Sequence, residues 1–136
     1  MHVPIDSGLK DKVAIVVGGG ARGDGIGNGR AACLLMAAEG ARVLVVDRDT
    51  ALAQRTADMI IENGGIAAAF AADVTQSSDC KTMVDRTLSL WGRVDYLDNN
   101  VGIGSSKTVV DEDEDEWDRV MLVNVKTMML TSKHAI

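Results

Sequence analysis

Apolar residues follow two alternating rhythms along this chain. Short runs such as Val13-Ala14-Ile15-Val16-Val17 and Val43-Leu44-Val45-Val46 alternate with longer stretches whose apolar positions fall three or four residues apart. The runs suit strands buried on both faces, and the longer stretches suit amphipathic helices. The pattern predicts strands at 13–17, 43–46, 66–70 and 94–97, and helices at about 30–39, 50–62 and 78–90. A long last helix is expected to start within the acidic run 111–116 and to continue toward Ile136. Ala53, Ala57, Ile60 and Ile61 are apolar residues at helical spacing in the second helix, and Met83, Val84, Thr87, Leu88 and Trp91 mark the inner stripe of the third. Gly40 and Asn63-Gly64-Gly65 read as helix stops, and Ser77 or Ser78 as a helix cap. A short polar lead-in before Lys12 holds the only proline, Pro4.

Four alternations of strand and helix imply an α/β fold, a parallel sheet with helices on both faces. Right-handed crossovers then bring the carboxyl ends of the strands to one edge. The sequence shows no internal repeat, low-complexity stretch or linker, so residues 1–136 read as one domain.

Composition narrows the partners. The chain has 136 residues, 46% of them apolar, which supports a real core. Its net charge of −6 argues against a nucleic-acid partner. No run reaches transmembrane length and the start carries no apolar signal segment, so no membrane partner and a cytoplasmic location are expected. Cys33 and Cys80 fall in different helices without metal-ligand spacing and are expected as buried free thiols. The acids 111–116 suit a solvated helix start, and no metal site is expected there.

The chemistry concentrates in Gly18-Gly19-Gly20-Ala21-Arg22-Gly23-Asp24-Gly25-Ile26-Gly27-Asn28-Gly29, set between the first strand and the first helix. Such a turn lets backbone N–H groups approach a pyrophosphate at a helix N-terminus. The second strand then ends in Asp47, whose carboxylate can accept hydrogen bonds from a ribose. Together they point to dinucleotide binding.

Five segments in order resemble the short-chain dehydrogenase/reductase family. They are the glycine loop, Asp47, Asp73-Val74, Asn99-Asn100-Val101-Gly102, and Asn124 within Val123-Asn124-Val125-Lys126. The resemblance implies a Rossmann-type doubly wound parallel sheet, truncated here after about four strands and the following helix. It also implies an NAD(P)-dependent oxidoreductase that passes a hydride between nicotinamide and an alcohol or carbonyl substrate. Cofactor contacts are then expected from Gly19, Arg22, Gly25, Ile26, Gly27, Asp47, Arg48, Asp73, Val74, Asn100, Val101, Gly102 and Val123. Gly19 would lie near the pyrophosphate, Ile26 toward the nicotinamide, Asp73 and Val74 at the adenine, and Asn100 to Gly102 beside a ribose. Asn124 is similar to the family's catalytic asparagine, which helps hold a water in a proton relay. The bland alternative makes it a satisfied amide inside a helix.

The glycine loop departs from the family pattern. Its spacing can be read at Gly19, Gly23 and Gly25, whereas counting back from Glu39-Gly40 puts the last helix-facing glycine at Gly29. The second register makes the loop about four residues longer than usual. Asp47 favours NAD, while Arg48 and Arg22 leave NADP open.

The family's Ser and Tyr-x-x-x-Lys elements have no counterpart in the chain. Its single tyrosine, Tyr96, falls in the fourth strand with Asn100 four residues on, and is expected to serve packing. The chain alone is therefore expected to be inactive, supplying the cofactor half of an enzyme. The alternative is a non-catalytic dinucleotide-binding or interaction module. The fourth strand is expected as an exposed edge. The last helix would keep an apolar face (Val120, Val123, Met128, Leu130) for a homo-oligomeric contact.

Overall fold

In the computed structural model the described residues are 6–23 and 25–136, so Pro4 and Asp24 lie outside them. Four strands, β1 (Val13–Val17), β2 (Arg42–Asp47), β3 (Ile66–Ala71) and β4 (Tyr96–Asn99), pair entirely in parallel in the order β3-β2-β1-β4. The helices between them are α1 (Asn28–Ala38), α2 (Thr50–Glu62) and α3 (Ser77–Trp91). After β4 come α4 (Glu114–Met121), a π-helical turn (Leu122–Lys126) and α5 (Thr127–Ala135).

Strict side-chain alternation on β1 and β2 divides the core into two layers. Ile15, Val17, Leu44 and Val46 face α3 and α5, meeting Met83, Val84, Cys80 and Leu130. Val16, Val43 and Val45 face α1 and α2, meeting Cys33, Ala37, Ala53, Ala57 and Ile60. Every residue of β1 is buried, which is why its sequence is apolar without interruption. Each such aliphatic side chain contributes about 2 kcal/mol by leaving water.

Local chemistry sets the element ends. The Asp49 carboxylate caps α2 by accepting from the Ala51 and Leu52 N–H groups. The Val13 N–H donates to the Asp95 carboxylate, and the Asp95 N–H donates to the Val13 carbonyl. This clasp comes before the paired run of β4, which starts at Tyr96, two residues later than the apolar pattern suggested. Asn99, expected just after the fourth strand, is its last residue and pairs with Val17.

Several expectations need correction. Helix α3 starts after Gln76 with no side-chain cap, and the Ser77 hydroxyl instead meets Nε2 of His134 on α5. Ile61 and Leu88 belong to the outer faces of their helices. The last helix is not continuous, because the π-helical turn interrupts it at Asn124. Of its expected apolar face only Leu130 is buried, and Met128 stands in solvent. Tyr96 is 39% exposed on the edge strand and is not a core packing residue. The two cysteines are buried free thiols.

Candidate functional site

The parallel register brings the carboxyl ends of all four strands to one edge, and a groove of about 700 Å³ opens there. The sheet order reverses between β1 and β4, and in open α/β sheets that point is where ligands bind. The volume lies within the range of small-molecule sites.

The floor is the turn after β1. The Gly18 and Gly19 N–H groups both donate to the Val46 carbonyl, at 2.8 and 2.9 Å, tying the turn to β2. Gly18 has φ +82°, and a Cβ there would lie 3.0 Å from the Val101 nitrogen. Gly29, in the first turn of α1, passes so close to the strand end that a Cβ would lie 1.9 Å from the Gly18 carbonyl oxygen. Gly29 is thus the glycine on which helix and strand pack, which selects the longer loop register.

Asp47 stands at the end of β2. Its Oδ2 accepts from the Gly20 N–H at 3.1 Å and its Oδ1 from the Asp49 N–H at 3.0 Å. A Cβ on Gly20 would lie 2.6 Å from that Oδ2, so only glycine allows the approach. Arg22 and Arg48 flank the carboxylate at the groove's rim.

The wall beyond β3 is Ala72-Asp73-Val74-Thr75. Asp73 Oδ1 accepts from the Thr75 hydroxyl at 2.6 Å and from the Thr75 N–H at 3.0 Å. The hydroxyl bond, more than any other influence, holds the Asp73 carboxyl below the usual carboxylate range. The Asp73 N–H is in turn fixed by Asp79 on α3 at 3.0 Å.

The opposite wall is Asn100–Gly104 with Arg119 and Val123. Asn100 donates its side-chain N–H to Asp98 at 2.7 Å. Asn124 spans to the wall from the π-helical turn. Its Oδ1 accepts from the Ile103 N–H at 2.8 Å, and its Nδ2 donates to the Ile103 carbonyl at 2.7 Å. A π-helical turn inside a helix often marks a functional position, and here it holds Asn124, which reaches across to Ile103. Thr131 on α5 donates to the Asn99 side chain at 2.7 Å and anchors the end of β4.

The groove thus gathers Arg22, Asp47, Arg48, Asp73, Val74, Asn100, Val101, Gly102 and Val123, all expected from the sequence. Gly19, Gly25, Ile26 and Gly27 do not line it. Gly19 is buried beneath the turn against Val45 and Cys33, and Ile26 is 64% exposed on the outside of the loop. Gly25 and Gly27 are also exposed there. Burial under Gly19 pushes the Cys33 thiol up to about 12, which leaves it inert.

Sequence reasoning passed over Gly18, Gly20, Thr75, Ile103 and Arg119 as lining residues. It also passed over Arg30, a cation in the first turn of a helix, where the dipole disfavours positive charge. An arginine placed there against the dipole was the available signal.

This is a doubly wound α/β fold with a groove at its switch point, and the comparisons place it. The short-chain dehydrogenase family model matches residues 12–136, and the chain belongs to that family. It is 40% identical over 128 residues to 2-(S)-hydroxypropyl-CoM dehydrogenase 3 of Xanthobacter autotrophicus, covering 94% of this chain and 48% of that protein. It is 35% identical to a cyclopentanol dehydrogenase of Comamonas, covering 94% and 49%. Among solved structures, 3-ketoacyl-(acyl-carrier-protein) reductase from Brucella melitensis, complexed with NADH, superposes with a TM-score of 0.84 at 37% identity. That match covers 94% of this chain and 50% of the reductase. A short chain dehydrogenase from Mycobacterium smegmatis gives 0.85 at 33%, covering 93% and 52%. The chain spans about half the length of these relatives.

Among the described residues no helix is long and apolar enough to cross a membrane.

Proposed function

We propose that this chain supplies the dinucleotide-binding half of an NAD(P)-dependent oxidoreductase acting on an alcohol or carbonyl. The carrying observation is Asp47, a carboxylate held at the end of β2 and facing the Gly20 N–H across 3.1 Å. The donor and acceptor chemistry of the groove fits a dinucleotide. Asp47 accepts from ribose hydroxyls, and the Ala21–Arg22 segment, which follows the Gly18–Gly20 turn along the groove and leads toward α1, meets the pyrophosphate. Val74 gives an apolar surface to the adenine, with Asp73 beside it, and Asn100, Val101 and Gly102 run along the second ribose. When bound, the nicotinamide supplies or accepts the hydride. Asn124 acts by holding Ile103, and with it that wall, in place. The bound NADH of the Brucella reductase supports the choice of ligand class.

NAD is favoured over NADP, since Asp47 repels a 2′-phosphate, although Arg22 and Arg48 stand within the same rim. The test is Asp47→Ala, with NADH and NADPH titrated by calorimetry. Loss of charge-assisted hydrogen bonds should weaken NADH about tenfold to a hundredfold and leave NADPH unchanged or tighter. Equal NADH affinity in the variant sinks the role of Asp47.

A second reading has one observation behind it. The single tyrosine is on β4, with Asn100 and not lysine four residues on. On that reading the chain binds NADH by itself yet turns over no alcohol. NADH-dependent alcohol turnover by a longer form that carries this chain would exclude it.

A further inference from the structure

Arg30 is a charged side chain with only 1% of its surface exposed, and all its guanidinium nitrogens are used beneath the glycine loop. Nη1 donates to the Gly25 carbonyl at 2.7 Å and Nη2 to the Ala21 carbonyl at 3.1 Å. Nε donates to the Thr56 hydroxyl on α2 at 3.0 Å. That hydroxyl donates in turn to the Gly19 carbonyl at 2.9 Å. One side chain therefore holds three carbonyls of the loop, two directly and one through Thr56. Burying a guanidinium is costly unless its donors are satisfied, so the network must be well formed for α1 to keep this residue.

The peptide plane carries the consequence to the groove. In a trans peptide the carbonyl and the following N–H point in opposite directions. Holding the Gly19, Ala21 and Gly25 carbonyls inward therefore turns the N–H groups of Gly20, Arg22 and Ile26 away from the guanidinium. The Gly20 N–H shows the result, because it meets Asp47 Oδ2. Arg22, next to the held Ala21 carbonyl, lines the groove beside Asp47 and Arg48. Ala21 and Gly25 lie four residues apart, so the same side chain closes the base of the loop's extra length. Without that closure the extra length would cost ordering entropy each time a ligand bound.

We propose that Arg30, with Thr56, is a positioning residue that presets the glycine loop for the phosphate part of a nucleotide. The inference rests on the dinucleotide reading of the groove. Arg30 itself stays beneath the loop and touches no ligand.

The test compares nucleotides that differ in what they ask of the loop. NADH and ADP carry the pyrophosphate, and adenosine does not. Calorimetry for the first two, and NMR titration for weakly bound adenosine, are run on the full chain and on Arg30→Met, Arg30→Lys, Thr56→Val and Thr56→Ser. Arg30→Met should weaken NADH and ADP by about tenfold to a hundredfold while adenosine changes by no more than about twofold. Arg30→Lys, which keeps the charge but not the fork, should recover only part of the loss. Thr56→Val should weaken the same two ligands by about fivefold, and Thr56→Ser, which keeps the hydroxyl, should match the parent.

If Arg30→Met does not fold, the Thr56 pair decides. Equal NADH affinity in the valine and serine variants overturns the proposal. A parallel loss of adenosine, or a lower unfolding midpoint with unchanged NADH and ADP affinity, also overturns it and leaves Arg30 a structural residue only. If the parent chain binds neither NADH nor ADP, the dinucleotide reading falls and this inference falls with it. If the parent binds and the variants bind equally, only this inference falls.

Discussion

The two sides of β1 are finished in different ways. Toward β2 the sheet is closed by burial. All of Val43 to Val46 is buried, and α2 places Ala53, Thr56, Ala57 and Ile60 in the interior. Toward β4 it is closed by directed polar contacts. Neither α4 nor the π-helical turn buries a single residue, and β4 is exposed to half-buried throughout. What holds that side is Asn124 against Ile103, Thr131 against Asn99, and the short buried stretch of α5 at Thr127, Leu130 and Thr131. Both sides contribute a wall to one groove. One wall should therefore fail by steric insult, and the other by loss of a hydrogen bond.

The largest effect tests the first half of that contrast. Gly29→Ala sets a methyl group 1.9 Å from the Gly18 carbonyl oxygen, a backbone atom that cannot swing aside. Helix α1 or the turn must move, at a cost of about 3 kcal/mol or more. Gly104→Ala, on the other wall, meets nothing within 4 Å and should stay within about 0.5 kcal/mol of the parent. Urea unfolding of both variants checks this pair. Equal midpoints would remove the steric distinction between the walls.

The second effect is smaller and local. Asn124→Ala removes two hydrogen bonds to Ile103 and leaves the N–H and the carbonyl of this half-buried residue without those partners. The expected loss is about 2 kcal/mol, confined to the Asn100–Gly104 wall and the π-helical turn. Hydrogen exchange reads it directly. Protection of the Ile103 amide should fall, while amides of β1 and β2 keep theirs, because regions of a fold open with different free energies. A matching fall in β1 would mean that the two sides open as one unit, and the contrast would be lost.

The same contrast explains what the sequence made legible. Burial writes itself as apolar runs, so β1, β2, α2 and the doubly wound order could be read from Val13–Val17, Arg42–Asp47 and Thr50–Glu62 with little error at the ends. Polar closure leaves no periodic trace. The shift of β4 follows from Asp95 clasping Val13, and the break at Asn124 follows from its bonds to Ile103, both contacts between segments distant in sequence. That Asp47, Asp73 and Asn100 gather at one groove was legible because the topology sends every strand end to one edge. Gly25, Ile26 and Gly27 stand outside the groove, and the sequence could not show this because it allowed two loop registers, between which the approach of Gly29 to Gly18 decides. Arg30 was passed over for a related reason. Its partners Ala21 and Gly25 contribute backbone oxygens, which any residue could supply.

The smallest effect concerns the junction where a polar contact serves the buried side. Thr75→Val removes the hydroxyl that donates to Asp73 Oδ1 at 2.6 Å and keeps the shape of the side chain. The Thr75 N–H still donates to the same oxygen, so the loss at neutral pH should be about 1 kcal/mol. Its pH dependence carries a definite sign. The hydroxyl bond is the main reason the Asp73 carboxyl lies below its ordinary range in the folded chain. A carboxyl with a depressed folded pKa stabilises the fold fully above its unfolded value of roughly 3.9. That contribution is lost as pH falls through the lower folded value. The valine variant has less of it to lose. The stability gap between parent and variant should therefore be widest above roughly pH 5 and should narrow as acid protonates Asp73. Urea unfolding at a series of pH values measures the gap. A gap that stays constant into acid would mean that the hydroxyl packs against the wall without acting on the carboxylate, and Asp73 would then owe its low pKa to the Thr75 N–H and Arg48 instead.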